Sequence, residues 1–106
     1  MFRAARTDAN ARQIDEALES LGATVAKTDS VGVGFPDRVV GVNGKNFLLE
    51  YKDGAKPPSK RRLNDFQKKW HDSWAGQVAV VYSPEQAVAV VFEVSNVRLK
   101  RLGREE

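Results

Sequence analysis

The chain has 106 residues, 42% hydrophobic and 29% charged, with a formal net charge of +3, the balance of one folded domain with a mild leaning towards a polyanionic partner. It has no cysteine and one histidine, His71, which excludes disulfides, a thiol nucleophile, cysteine zinc sites and multi-histidine metal centres, so that any metal ligands must be oxygens, as Mg2+ and Mn2+ prefer. No run approaches the ~18 apolar residues of a membrane span, and MFRAARTDAN has no apolar signal segment, so an intracellular, cytoplasmic protein without a membrane partner is expected.

Thr7 to Leu21 is predicted as a helix, because Ile14, Ala17, Leu18 and Leu21 follow the spacing of one apolar face. Thr7 or Asp8 would cap it and Gly22 would end it. Asp15, Glu16 and Glu19 are expected on its solvated side, with Asn10 and Gln13 on the borders of the stripe. Ala23 to Lys27 is predicted as a short strand. SVGVGFP, residues 30 to 36, is a glycine-punctuated turn and not a phosphate loop, since no GK[ST] follows.

Arg38 to Val42 and Asn46 to Lys52 are predicted strands, joined by Asn43-Gly44, a strong hairpin signal. DGAKPPSKRR, from Asp53, is a polar loop. Asn64 to Trp74 is a predicted helix with Asn64 as its cap and Gly76 closing it. Phe66, Trp70 and Trp74 recur at helical spacing, and the two tryptophans are expected in the core. Gln77 to Tyr82 is a predicted buried strand. SPEQAVAVV is a second capped helix, with Ser83 at the cap, Pro84 first and Gln86 completing a capping box. FEVSNVRL admits a strand, and KRLGREE a loose charged end. The expected fold is α/β, in the order α-β-β-β-α-β-α, with a mixed central sheet flanked by helices.

The hairpin carries the chemistry. In a two-residue turn Val42 pairs with Lys45, and counting back pair by pair sets Asp37 opposite Glu50, their Cβ atoms ~4.5–5.5 Å apart. Strand alternation puts Lys52 on the same face as Glu50. Facing carboxylates repel, so either one takes up a proton or a cation sits between them. The plain alternative is a pair of edge charges neutralised by Lys52 and Arg38; a bulge would also shift the register. From Lys52 to Lys69 the chain holds seven Lys or Arg against two Asp. Within this block Lys56, Lys60, Arg61, Arg62, Lys68 and Lys69 are candidate phosphate contacts. The alternative is a solvated loop and helix face. His71 either faces a cleft or bonds a main-chain carbonyl in the interior.

Pro36-Asp37, twelve residues, then Glu50-Tyr51-Lys52 resembles the signature of the PD-(D/E)xK nuclease superfamily. With GVGFPD, GKNFLLEYKDG, KPPSKRRL and LNDFQKKWHDSWAGQVAVVYSPEQA, the chain looks like the small stand-alone VRR-NUC type. Those are short proteins, often from phages, akin to Holliday-junction resolvases and flap nucleases. The resemblance spans about residues 7 to 91 of a single domain and leaves 92–106 as a C-terminal extension. It implies a restriction-endonuclease-like fold and a metal held by Asp37, Glu50 and the Tyr51 carbonyl. It also implies that Lys52 orients or activates the attacking water, with Gln67 as an accessory. The implied activity is Mg2+- or Mn2+-dependent cutting of DNA, selective for branched structures such as junctions or flaps. One departure is that many relatives carry an acid on the first helix, where this chain offers Asn10 and Gln13, so one metal or two stays open. The alternative is a DNA- or partner-binding module that does not cut. A symmetric junction needs two cuts, which implies a homodimer, and the apolar run from Ala87 to Val94 is either its interface or core.

Overall fold

The structure is a computed structural model that describes residues 2–93, with side chains described for residues 9–92. Helix α1 (Phe2–Ser20) starts ahead of the expected Thr7, so neither Thr7 nor Asp8 caps it. The alanines and arginines before Thr7 are good helix formers and give the backbone no reason to stop there. Its end is as expected. Gly22 takes φ +101°, its N–H donates to the Glu19 carbonyl at 3.0 Å, and that of Ala23 donates to Leu18 at 3.1 Å. These two closing bonds need a residue tolerant of positive φ.

Strands β1 (Thr24–Lys27), β2 (Arg38–Val42), β3 (Lys45–Tyr51) and β4 (Val78–Val81) form a four-stranded sheet in the order β1-β2-β3-β4. The first two pairings are antiparallel and β3–β4 is parallel. Helix α2 (Asp65–Ser73) lies on the crossover between β3 and β4, preceded by a 3-10 turn at Pro58–Lys60. The expected element order and the mixed sheet flanked by helices are both present. Asn43 and Gly44 sit at φ 51° and 76°, as a type I′ turn requires. The register runs unbulged from Val42↔Lys45 to Arg38↔Leu49, so the strand ends that carry Asp37 and Glu50 arrive side by side.

Alternation splits the sheet into two faces. Val40, Val42, Phe47, Leu49 and Val81 pack against Ile14 and Leu18 of α1 and against Ala87 and Val91. The last two belong to α3 (Pro84–Val88) and the π-helical turn Ala89–Glu93 that continues it. In the described part of the apolar run, Ala87 and Val91 belong to the core and Val88, Val90 and Phe92 pack partly buried against it. Phe92 lies in that turn rather than in a strand; residues 94–106 lie outside the described residues. Ser83 caps α3 as expected, accepting from the Gln86 N–H at 3.2 Å. Gln86 does not close a capping box: its Oε1 takes the N–H of Tyr82 at 2.9 Å instead of that of Ser83.

The other face, with Leu48 and Glu50, meets α2. Here the tryptophan expectation fails. Phe66 is 65% and Trp74 44% exposed, Trp70 is half-buried, and no residue of α2 is buried. Trp70 stacks on Trp74 at 4.6 Å and meets Phe35 edge-on at 5.2 Å. Helical spacing shows which side chains share a face, but not that anything covers it. Gly76 does not close α2, which ends at Ser73; a Cβ there would come within 2.8 Å of the Trp74 indole nitrogen. Gly34 has a firmer requirement. At φ +84° its backbone abuts the first turn of α2, and a Cβ would overlap the Phe66 carbonyl. The glycine turn thus docks α2 against the end of the hairpin.

Candidate active site

Asp37 lies one residue before β2, where its main-chain carbonyl accepts from Thr28 N–H at 2.8 Å. Its carboxylate Oδ2 accepts from the Tyr51 N–H, also at 2.8 Å. Glu50, on β3, is 2% exposed. Its Oε2 accepts from Gln67 Nε2 at 2.8 Å and lies 3.9 Å from Lys52 Nζ. Its Oε1 is buried with no hydrogen-bond partner among the described residues.

Gln67 joins helix α2 to this cluster. Asn64 caps the helix, its side chain accepting from the Gln67 N–H at 2.9 Å, while Gln67 Oε1 accepts from the Asn64 N–H at 2.9 Å. The same oxygen accepts from Lys52 Nζ at 3.2 Å. Both partners of Oε1 are donors and the partner of Nε2 is an acceptor, so the amide can bridge Lys52 and Glu50 in one orientation only. Asn64 was readable as the cap; that Gln67 closes a capping box with it and also bonds the acid and the lysine was not. Asn10 donates from Nδ2 to the Lys52 carbonyl at 3.0 Å, pinning the end of β3 to α1.

The electrostatics follow from burial. Glu50 is pushed up to about 8, first by desolvation and then by the charge of Asp37, with Lys52 pulling the other way. Asp37 is also raised by burial, against the Tyr51 N–H, the Glu50 carboxyl and the charge of Arg38, which favour its ionised form. At neutral pH the pair therefore holds a proton, one of the two outcomes that facing carboxylates allow. Burial holds His71 below its ordinary value, and its Nε2 is buried without a hydrogen-bond partner among the described residues.

A cleft of about 330 Å³ opens over Asp37 and Glu50, lined also by Asn10, Tyr51, Lys52, Lys56 and Lys60. Arg61 lies at a neighbouring cleft with Gln13, its guanidinium 5.7 Å from the Tyr82 ring centre. Gln13 thus does not reach the acids. Arg62, Lys68 and Lys69 are exposed, and His71 is half-buried; none of these four lines the acid cleft.

Asp15 departs most from expectation: it is buried. Its carboxylate takes both Arg38 Nε at 2.9 Å and Nη2 at 3.1 Å, and Oδ1 also accepts from the Tyr51 hydroxyl at 2.8 Å. Burial works against the Arg38 charge, yet the bonds and charge of Asp15 more than offset it and raise its pKa. The Tyr51 hydroxyl is raised in turn by burial and by Asp15. Arg38 gives its side-chain bonds to the Asp15 carboxylate and the Asp37 main-chain carbonyl, while its charge still favours the ionised form of Asp37. The signal was present: Asp15 directly follows the buried Ile14 and precedes Leu18 by three residues, and Arg38 alternates with Val40 and Val42 on the inward face of β2.

The donor set suits a divalent cation. A buried carboxyl, Glu50, with an oxygen unpartnered among the described residues, stands beside the half-buried Asp37 at the edge of a cleft. Among the described residues no group of three or more His, Cys, Asp or Glu forms, so such an ion would keep water or substrate oxygens, as Mg2+ habitually does.

No family model and no curated protein matches the chain. A solved structure described as a VRR_NUC domain is similar to it, with a TM-score of 0.61 and 25% identity, covering 80% of this chain and 95% of that one. This is a mixed α/β domain, and its fold is that of a VRR_NUC domain. Among the described residues no helix is long and apolar enough to cross a membrane.

Proposed function

We propose that this chain is a divalent-metal-dependent, structure-selective DNA endonuclease acting on branched DNA such as junctions or flaps. The observation that carries the reading is the pair of half-buried Asp37 and buried Glu50, with Glu50 bonded to Gln67 and within reach of Lys52, under a cleft walled by Lys56 and Lys60. The likeness to a VRR_NUC domain supports a nuclease-like, DNA-processing role.

Asp37, Glu50 and the Tyr51 carbonyl would hold Mg2+ or Mn2+, which supplies Lewis acidity and a more acidic bound water. The chain's own groups do the rest. Lys52 presents positive charge where the scissile phosphate gathers negative charge, and its ammonium can hold the attacking water. Gln67 fixes Lys52 and Glu50 relative to each other, so neither reorganises as the reaction proceeds. Lys56 and Lys60 bind the flanking backbone, with Arg61, Arg62, Lys68 and Lys69 extending the track. Such contacts read no bases, so selectivity comes from DNA shape. Resolving a symmetric junction asks for paired sites in a homodimer inside the cell.

The second reading, a module that binds without cutting, rests on one observation: the Asp15 carboxylate of α1 is taken up by Arg38 and Tyr51. One assay separates the two. Purified protein is incubated with four-way junction, flap and linear duplex DNA, with and without Mg2+ or Mn2+. Cutting of the branched substrates only with metal is the expected result. Binding without cutting supports the second reading, and an absence of both at physiological salt overturns the account.

A further inference from the structure

Asp15 is far from Asp37 in sequence, yet the contacts of the two converge. Its carboxylate holds Arg38 by two bonds and the Tyr51 hydroxyl by a third. Arg38 uses its remaining nitrogen, Nη1, on the Asp37 main-chain carbonyl at 2.9 Å, and its guanidinium carbon lies 4.8 Å from the Tyr51 ring centre. Tyr51 in turn gives its N–H to the Asp37 carboxylate at 2.8 Å. Asp37 is therefore gripped twice, by Arg38 at its main chain and by Tyr51 at its side chain. One buried carboxylate on α1 sets both grips.

Stability alone gives no reason for this arrangement. A buried ion pair roughly breaks even against well-packed apolar side chains of the same volume. The carboxylate, guanidinium and phenol here form one closed network, and such networks fix geometry. Groups that orient a ligand from behind are often as necessary as the ligand itself.

We infer that Asp15 is a positioning residue, which acts through Arg38 and Tyr51 to hold the Asp37 carboxylate in place against Glu50. It touches neither substrate nor metal.

The test is the double variant Asp15→Leu with Arg38→Met, which replaces the pair by apolar side chains and so avoids stranding one charge. In an NMR spectrum of the metal-free wild type, the residue 51 amide proton should lie downfield, as a charge-assisted hydrogen bond requires. In the folded double variant it should move upfield. Mn2+ affinity measured by calorimetry without DNA should fall ~10–100-fold. The cleavage arm rests on the proposed activity: kcat should fall while DNA Kd holds. A folded double variant that keeps the amide shift and the Mn2+ affinity overturns the inference. If the wild type cuts no DNA, the proposed activity fails, and the amide shift still decides the positioning role. Should the double variant not fold, Tyr51→Phe removes the hydroxyl bond and leaves the ion pair intact. An unchanged residue 51 amide in that variant, with unchanged Mn2+ affinity, likewise overturns it.

Discussion

Glu50 has one carboxyl oxygen bonded to Gln67 and the other buried without a donor among the described residues. That arrangement is costly for a charge and readily relieved by a proton or a cation. The pH dependence follows with a definite sign. Folded Glu50 keeps its proton up to about 8, whereas its unfolded counterpart loses it near 4.5. The unfolded state is therefore favoured as pH rises through that window. His71, lowered from 6.5, works the other way only below that value. Between pH 6.5 and 8 the Tm of the metal-free protein should therefore fall. Thermal melts of Glu50→Gln should show a shallower fall and a higher Tm at pH 8. Asp37→Ala, Glu50→Ala and Lys52→Ala should each abolish metal-dependent cleavage with the fold intact; normal cutting by Lys52→Ala would sink the assignment of its role. The juxtaposition of Asp37 and Glu50 was legible in the sequence because the Asn43-Gly44 turn counts it out locally. Asp15 was misread because its partners, Arg38 and Tyr51, come from other elements, and the spacing of one helix does not reveal them.

At the scale of elements, α2 matters through where its first turn stands. Asn64 and Gln67 close the capping box, and that box also tethers Glu50 and Lys52. Asn64→Ala should cost ~1 kcal/mol in a denaturant melt and reduce cleavage further than that loss of stability explains. Gly34 sets the helix's approach. With φ at +84° and the Phe66 carbonyl in the way of a Cβ, Gly34→Ala should destabilise by ~1–3 kcal/mol. It should lower kcat by displacing Gln67, whereas an unchanged kcat would mean that the turn does not position α2. The caps at Asn64 and Ser83 were readable because capping is local chemistry, whereas the Thr7 or Asp8 cap and the Gln86 box were not realised. The exposure of Phe66 and Trp74 was not readable, because it depends on what the rest of the chain lays over that face.

Across the whole molecule, the dense core lies on one side of the sheet, between β2–β3–β4 and the helices α1 and α3. The acid pair sits on the other, thinly covered side, where a cleft and basic side chains meet. The net charge of +3 is modest, so DNA affinity should come from the local basic track and weaken steeply with salt. Lys60→Ala should make the log–log salt slope shallower by ~0.9, the release expected for one phosphate contact. A slope equal to wild type would place Lys60 off the DNA.

The central claim, that Asp37 and Glu50 form a divalent-cation site, is tested most directly by calorimetric titration of the DNA-free protein with Mn2+, in buffers of different ionisation enthalpy. At pH 7 Glu50 carries a proton that the ion must displace, so binding should release about one proton per site. The release should fade above about pH 8, where Glu50 ionises unaided, and Glu50→Gln should not bind. Binding without proton release at pH 7, or equal binding by Glu50→Gln, would contradict the account.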